Sequence, residues 1–343
     1  MNNSIIKARA PLRLGLAGGG TDVSPYCDIH TGYVLNATID KYAYAVIKTS
    51  KGIVKFIASD LDKEEKYSPI FPMKIDKGLR LHKSVYNHFV GVYNNQKPLE
   101  IELSTFCDAP PGSGLGSSST LVVAMIKAFV EFMKLNLDEY AIALTAFVIE
   151  RKDCGLAGGR QDQYAASFGG FNFMEFYAQD KTIINTLRIK PSVINELEAR
   201  LLLFYTGVSR ESANIINNQS ISVSSGNSLT LDAMHNIKKE ASEMKEALLK
   251  GNIDGINDSM LRGWENKKKT SNIISNSFIE EIFKIALNAG ATSGKISGAG
   301  GGGFIMFIVP TERRMNVVRT LSKFKGQVSN CHFTLNGCES WRN

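Results

Sequence analysis

The 343-residue chain has only five cysteines, Cys27, Cys107, Cys154, Cys331 and Cys338, and no two form a CxxC pair. Their number is odd, their spacing is wide, and the five histidines do not cluster with them. Neither a disulfide framework nor a zinc site is supported. Long hydrophobic runs are missing too. The longest, "LVVAMIKAFVEFM", is broken by Lys127 and falls short of the roughly 20 residues of a membrane span. The opening "MNNSIIKARAPLRLGLAGGG" lacks the apolar core of a signal peptide. The expectation is a cytoplasmic protein with no membrane partner. Charge of one sign is also scarce. Lys plus Arg number 40 against 33 Asp plus Glu, and the only tight basic run is Lys267-Lys268-Lys269. Such a trio reads as a solvated helix face, so no nucleic-acid partner is expected. The mild surplus of +7 suits an enzyme whose substrates are anions.

What is present reads as an α+β protein. The length suits two domains, with a soft boundary near residue 190 that gives 1–190 and 191–343. Strands are expected in "IIKARAPLRLGLAGG", "GYVLNATIDKYAYAVIKTS", "GIVKFIASD" and "PLEIELSTF". A helix follows from about Ser118 to Met133. A second runs from an Asp138 cap toward Gly155, and a short third covers "RQDQYAASF". In the second half, helices are expected from Asp232 to about Lys250, in "NIDGINDSMLRGWENKK" and in "SNSFIEEIFKIALNAG", with a strand in "GGFIMFIVP". Strands first and helices in blocks is the α+β pattern.

Three glycine-rich segments stand out. "APPGSGLGSSST" (Ala109 to Thr120) lies between a strand and a helix. The first N–H groups of a helix lack partners and its dipole is positive there, so a phosphate fits. Gly112, Gly114 and Gly116 remove side chains that would block it. The competing reading is a tight connection with a serine cap. No Lys-Ser or Lys-Thr follows, so this is not a Walker A loop. The GxGxxG at Gly298, Gly300 and Gly303 is followed by a strand where a dinucleotide fold needs a helix. The third segment, "PLRLGLAGGGTD", ends in Asp22, a carboxylate suited to sugar hydroxyls, and begins with Arg13.

In that order, the Pro-x-Arg segment ending in GGGTD, PPGSGLGSSS, and SGAGGGG resemble the three motifs of the GHMP kinases. "GGGTD", "LAGGRQDQY" and "YTGVSRESA" resemble the heptose branch of that superfamily. The resemblance implies a ribosomal protein S5 domain 2-like N-terminal domain and a ferredoxin-like C-terminal domain, with ATP between them. It implies a kinase acting on a heptose already phosphorylated at its far end. The new phosphate would go on the anomeric hydroxyl, on the way to nucleotide-activated heptose for surface polysaccharide. The alternatives are a kinase of an unphosphorylated sugar and a non-catalytic ligand sensor of the same fold. A homodimer is allowed.

By the same resemblance, Pro111, Gly112, Ser113, Gly114, Leu115, Gly116, Ser117, Ser118 and Ser119 wrap the triphosphate. Ser118 and Glu150 hold Mg²⁺, an ion that takes few protein oxygens. Read alone, Glu150 is a solvated helix-end residue. Asp162 takes or orients the acceptor proton, although "GGRQDQ" alone is an ordinary helix start. Arg13 lies beside it and neutralises the transferring group. Gly19, Gly20, Thr21, Asp22, Gly159, Arg160, Gly300 and Gly301 line the acceptor site. Arg210 is the first candidate for the distal phosphate, against a plain surface salt bridge. Lys267 and Lys268 are weaker candidates.

Overall fold

The structure is a computed structural model that describes residues 5–208 and 212–342. Its strands are β1 (Ile6–Ala17), β2 (Gly32–Thr49), β3 (Val54–Ala58), β4 (Lys63–Tyr67), β5 (Ile101–Cys107), β6 (Phe171–Phe176), β7 (Thr182–Thr186), β8 (Leu201–Tyr205), β9 (Ser293–Ile296), β10 (Phe304–Ile308), β11 (Gln327–Ser329) and β12 (Glu339–Arg342). The first sheet runs β12-β1-β2-β5-β3-β4, and β6 with β7 joins it through β2. The second runs β11-β8-β10-β9. The α+β expectation holds.

β2 organises the first sheet because it is long enough for two neighbours on one edge. Its start pairs with β6 and its end with β5, while β1 lies along its other edge. In β1 the alternation of buried and half-buried residues ends at Ala10, and from there to Ala17 every residue is buried. That inner half carries Arg13. The last strand, β12, returns to the first sheet and pairs with β1. The unit expected from residue 191 onward therefore gives its final strand to the first sheet.

Helix Ser117–Phe132 packs on the first sheet, and its Phe129 stacks on Phe89 of helix Arg80–Tyr93, 4.7 Å between ring centres. The second helix was not foreseen. Its buried residues His82, Val85, Tyr86, Phe89 and Val90 follow helical spacing, but a histidine in that set blurs the apolar pattern. His82 is accommodated by Thr105, 2.9 Å from its Nε2. The helix expected from Asp138 starts there, with Asp138 accepting from Ala141 N–H, but its α form ends at Phe147. A wider π turn continues it from Val148 to Asp153. Such turns displace one side chain from the helical register and recur at functional sites. Here the turn contains Glu150.

Phe129→Ala is expected to cost about 3–5 kcal/mol, because the cavity would open beneath the helix that carries the serines. Urea unfolding measures it, and a loss under about 1 kcal/mol would contradict this packing.

Candidate active site

The glycine loop makes the strand-to-helix turn with Gly112, Gly114 and Gly116 all in the left-handed region, at φ 72°, 82° and 80°. Gly116 occupies the cap position of helix Ser117–Phe132, and no side chain among the described residues caps it. The serine-cap reading of this segment is therefore excluded. The Ser113 hydroxyl is buried without a hydrogen-bond partner among the described residues. An uncapped helix start and an orphaned hydroxyl are what a phosphate would satisfy. Leu115 is wholly buried in the apolar core, so its side chain anchors the loop and only its main chain is available to a ligand.

Arg13 ties the site together. It is 3% exposed. Its Nε and Nη2 approach Asp162 Oδ1 at 2.7 and 2.6 Å. Its Nη1 donates to the Gly114 carbonyl at 2.6 Å and to Ser297 Oγ at 3.3 Å. One guanidinium thus joins β1, the glycine loop, helix Gln161–Phe168 and the C-terminal glycine segment. Both contacts to Asp162 fall on Oδ1. Oδ2 has no hydrogen-bond partner among the described residues and lies beside Gly116, 3.3 Å from where a Cβ there would stand.

Glu150 is 1% exposed, not solvated. Ser118 Oγ donates to its Oε1 at 2.8 Å, and Ser119 Oγ to its Oε2 at 2.6 Å. Gln163 Nε2 donates to Oε2 at 2.7 Å, and the Arg151 guanidinium lies 3.3 Å from Oε1. No group of three or more His, Cys, Asp or Glu suited to a metal occurs among the described residues. Two adjoining hydroxyl and carboxylate oxygens fit Mg²⁺, which keeps waters and takes phosphate oxygens for most of its shell.

Asp22 is placed differently from its expected role. Its Oδ1 accepts from Gly20 N–H and Gln161 Nε2, and its Oδ2 from Arg160 and Gln161 N–H. These four bonds fill the acceptor sites of a carboxylate, leaving none for sugar hydroxyls. The side chain serves as the cap of the helix that begins with Gln161 and Asp162. The backbone comes so close that a Cβ on Gly159 would collide with this carboxylate. Thr21 is buried, its hydroxyl closing the turn against Gly18 and Tyr33. The Arg160 guanidinium is held by the Tyr177 carbonyl and Asp28. Gly300 and Gly301 pack on Ile274, with Gly301 N–H donating to its carbonyl at 2.7 Å. Arg210 lies outside the described residues.

The basic trio does not form one solvated face. Lys268 pairs with Glu265 at 2.8 Å, and Lys269 is exposed. Lys267 is buried, and its Nζ donates to the Gly298 carbonyl at 2.6 Å. Burial lowers its pKa to about 8, with Asp22, Arg13 and Asp162 the charges it faces. Lys295, unforeseen, is buried with Nζ donating to Gly15 and Leu16 carbonyls at 2.7 and 3.2 Å. Burial, with Lys267 and Arg13 nearby, holds its pKa well below the usual lysine range. Asp22, which Lys267 faces, also lines a cavity of about 270 Å³ together with Ser24, Arg151, Gly158, Arg160 and Asn217, whereas Lys267 and Lys295 themselves line a separate, much smaller space with Gly18 and Gly19.

The family model for the GHMP kinases N terminal domain matches residues 80–170, and that for the GHMP kinases C terminal domain matches residues 244–325. A D-glycero-alpha-D-manno-heptose 7-phosphate kinase of Campylobacter jejuni is 46% identical over 98% of this chain and 99% of that one. The chain belongs to the GHMP kinases. As a member of that family it is an ATP-using phosphotransferase. Among solved structures, a D-glycero-D-manno-heptose 1-phosphate kinase from Bacteriodes thetaiotaomicron superposes with TM-score 0.83 at 41% identity, over 98% of both chains. A putative sugar kinase from Campylobacter jejuni gives TM-score 0.83 at 44% identity over the whole of both chains. No helix among the described residues of this kinase is long and apolar enough to cross a membrane.

Asp22→Ala is expected to destabilise the kinase by about 1–3 kcal/mol, because three backbone N–H groups lose their acceptor. It should also lower kcat, since Asp162 rides on the same helix start. Urea midpoints and turnover check both; unchanged values for the two would contradict the capping role.

Proposed function

We propose that this kinase transfers the γ-phosphoryl group of ATP to the anomeric hydroxyl of D-glycero-D-manno-heptose 7-phosphate. The observation that carries the chemistry is Asp162, with one oxygen held by Arg13 and the other left open beside the glycine loop. The full-length likeness to the Campylobacter jejuni heptose 7-phosphate kinase supports the acceptor. So does the buried basic cluster near the cavity, which suits an anionic sugar.

In this reading the main chain of the Pro111–Ser119 loop and the serine hydroxyls cradle the triphosphate. Ser118 and Glu150 would hold Mg²⁺, which would supply positive charge to offset that of the triphosphate. Asp162 Oδ2 takes or orients the proton of the attacking hydroxyl. Arg13 fixes Asp162 through Oδ1 and sets positive charge where the transferring group becomes most anionic. The acceptor lies in the cavity lined by Asp22, Ser24, Gly158 and Arg160. Phosphoryl transfer asks mainly for alignment and charge neutralisation, and these groups supply both.

Three outcomes follow. Asp162→Asn should lower kcat by about 10²–10⁴ with little change in ATP affinity; near-normal turnover would remove it from the reaction. Ser118→Ala and Glu150→Ala should lower kcat and raise the Mg²⁺ requirement, and unchanged Mg²⁺ titrations in both would exclude them as ligands. ADP release by the unmodified enzyme should be strong with heptose 7-phosphate and weak with free heptose, fucose or galactose. Equal use of the free sugars would overturn the acceptor assignment.

A further inference from the structure

Lys267 lies in the last turn of the helix Ile253–Lys269 with its side chain buried. An ammonium has three donors. One goes to the Gly298 carbonyl, and the other two have no partner among the described residues. Of the carboxylates it faces, Asp22 is committed to the helix cap, and Asp162 gives Oδ1 to Arg13 and turns its open Oδ2 toward Gly116. Neither forms a contact ion pair with it. Arg13 and Lys295 add like charge. A buried ammonium without a counter-ion costs several kcal/mol, a cost that an arriving anion would offset.

The position narrows which anion. Nζ lies between the N-terminal and C-terminal glycine segments, on the Gly298 carbonyl and 3.8 Å from where a Cβ on Gly19 would stand. The charges it faces are those of Asp22, Arg13 and Asp162, the acceptor side of the site, and not that of Glu150. Lys295 is less available, with two of its donors on β1 carbonyls. Lys268 is satisfied by Glu265 and Glu280. We infer that Lys267 binds the phosphate the acceptor already carries and thereby selects phosphorylated over free sugar. This inference rests on the sugar-phosphate reading above.

The test uses the full-length enzyme with Lys267→Met and Lys267→Arg. The unmodified enzyme is assayed first with heptose 7-phosphate and free heptose; equal use of both defeats the sugar-phosphate reading itself. Given the expected preference, Lys267→Met should raise KM for heptose 7-phosphate about 10- to 100-fold and leave KM for ATP within about two-fold. Its preference for phosphorylated over free heptose should shrink by the same factor. Inorganic phosphate, added without nucleotide, should raise the Tm of the unmodified enzyme more than that of Lys267→Met, which keeps only the glycine-loop phosphate site. Lys267→Arg should keep much of the affinity. Because Lys267 loses its charge as pH rises through about 8, kcat/KM for the sugar phosphate should fall there in the unmodified enzyme. In Lys267→Arg that fall should move to higher pH, a readout that survives if the methionine variant does not fold. A parallel rise in KM for ATP would assign Lys267 to the nucleotide and overturn the inference. An unchanged KM for heptose 7-phosphate, or an alkaline fall that stays in place in Lys267→Arg, would also overturn it.

Discussion

The guanidinium of Arg13 is the contact on which the rest of the site depends. Four segments far apart in sequence meet on it: β1, the glycine loop through Gly114, helix Gln161–Phe168 through Asp162, and the C-terminal glycines through Ser297. A planar fork with fixed donors can hold a carboxylate and a carbonyl at set angles, which an ammonium on a flexible stem cannot do. Since both contacts to Asp162 use one oxygen, the same interaction that positions the carboxylate leaves its other oxygen open. Structure and reactivity are set by one pair.

The glycines serve this arrangement through close backbone approach. Ser297 Oγ donates to the Gly114 carbonyl at 2.9 Å, and Phe304 N–H donates to the Ser113 carbonyl at 2.9 Å. A Cβ on Gly114 would strike the Ser297 carbonyl, and one on Gly303 would strike the Ser113 carbonyl. The C-terminal glycine segment is thus pressed against the phosphate loop. A side chain at either position would push the second sheet away from the loop and take Ser297 off Arg13.

The three glycine segments were legible because their function is local. Close approach and uncapped helix starts need particular residues in a short stretch, and a sequence displays short stretches directly. Asp162 and Glu150 were legible only through their resemblance to a family pattern, since each alone reads as an ordinary helix residue. Asp22 shows the limit of that route. Its fully used carboxylate depends on Arg160 and Gln161 folding back to it, a contact no local pattern contains. Lys267 was hidden inside a lysine run, because the helix turns by about 100° per residue and sends adjacent lysines to different surroundings. Lys295 was hidden in a four-residue strand whose every residue is buried. A lysine there is tolerable because β1 offers two carbonyls, and those become neighbours only after folding.

A double-mutant cycle between Arg13 and Asp162 tests the central claim most directly. Turnover would be measured for the unmodified enzyme, Arg13→Met, Asp162→Asn and the double variant at saturating ATP and acceptor. If the pair acts as one unit, the double variant should be about as slow as the slower single variant. If the two losses instead multiply, Arg13 and Asp162 act independently, and the guanidinium does not work through the carboxylate it holds.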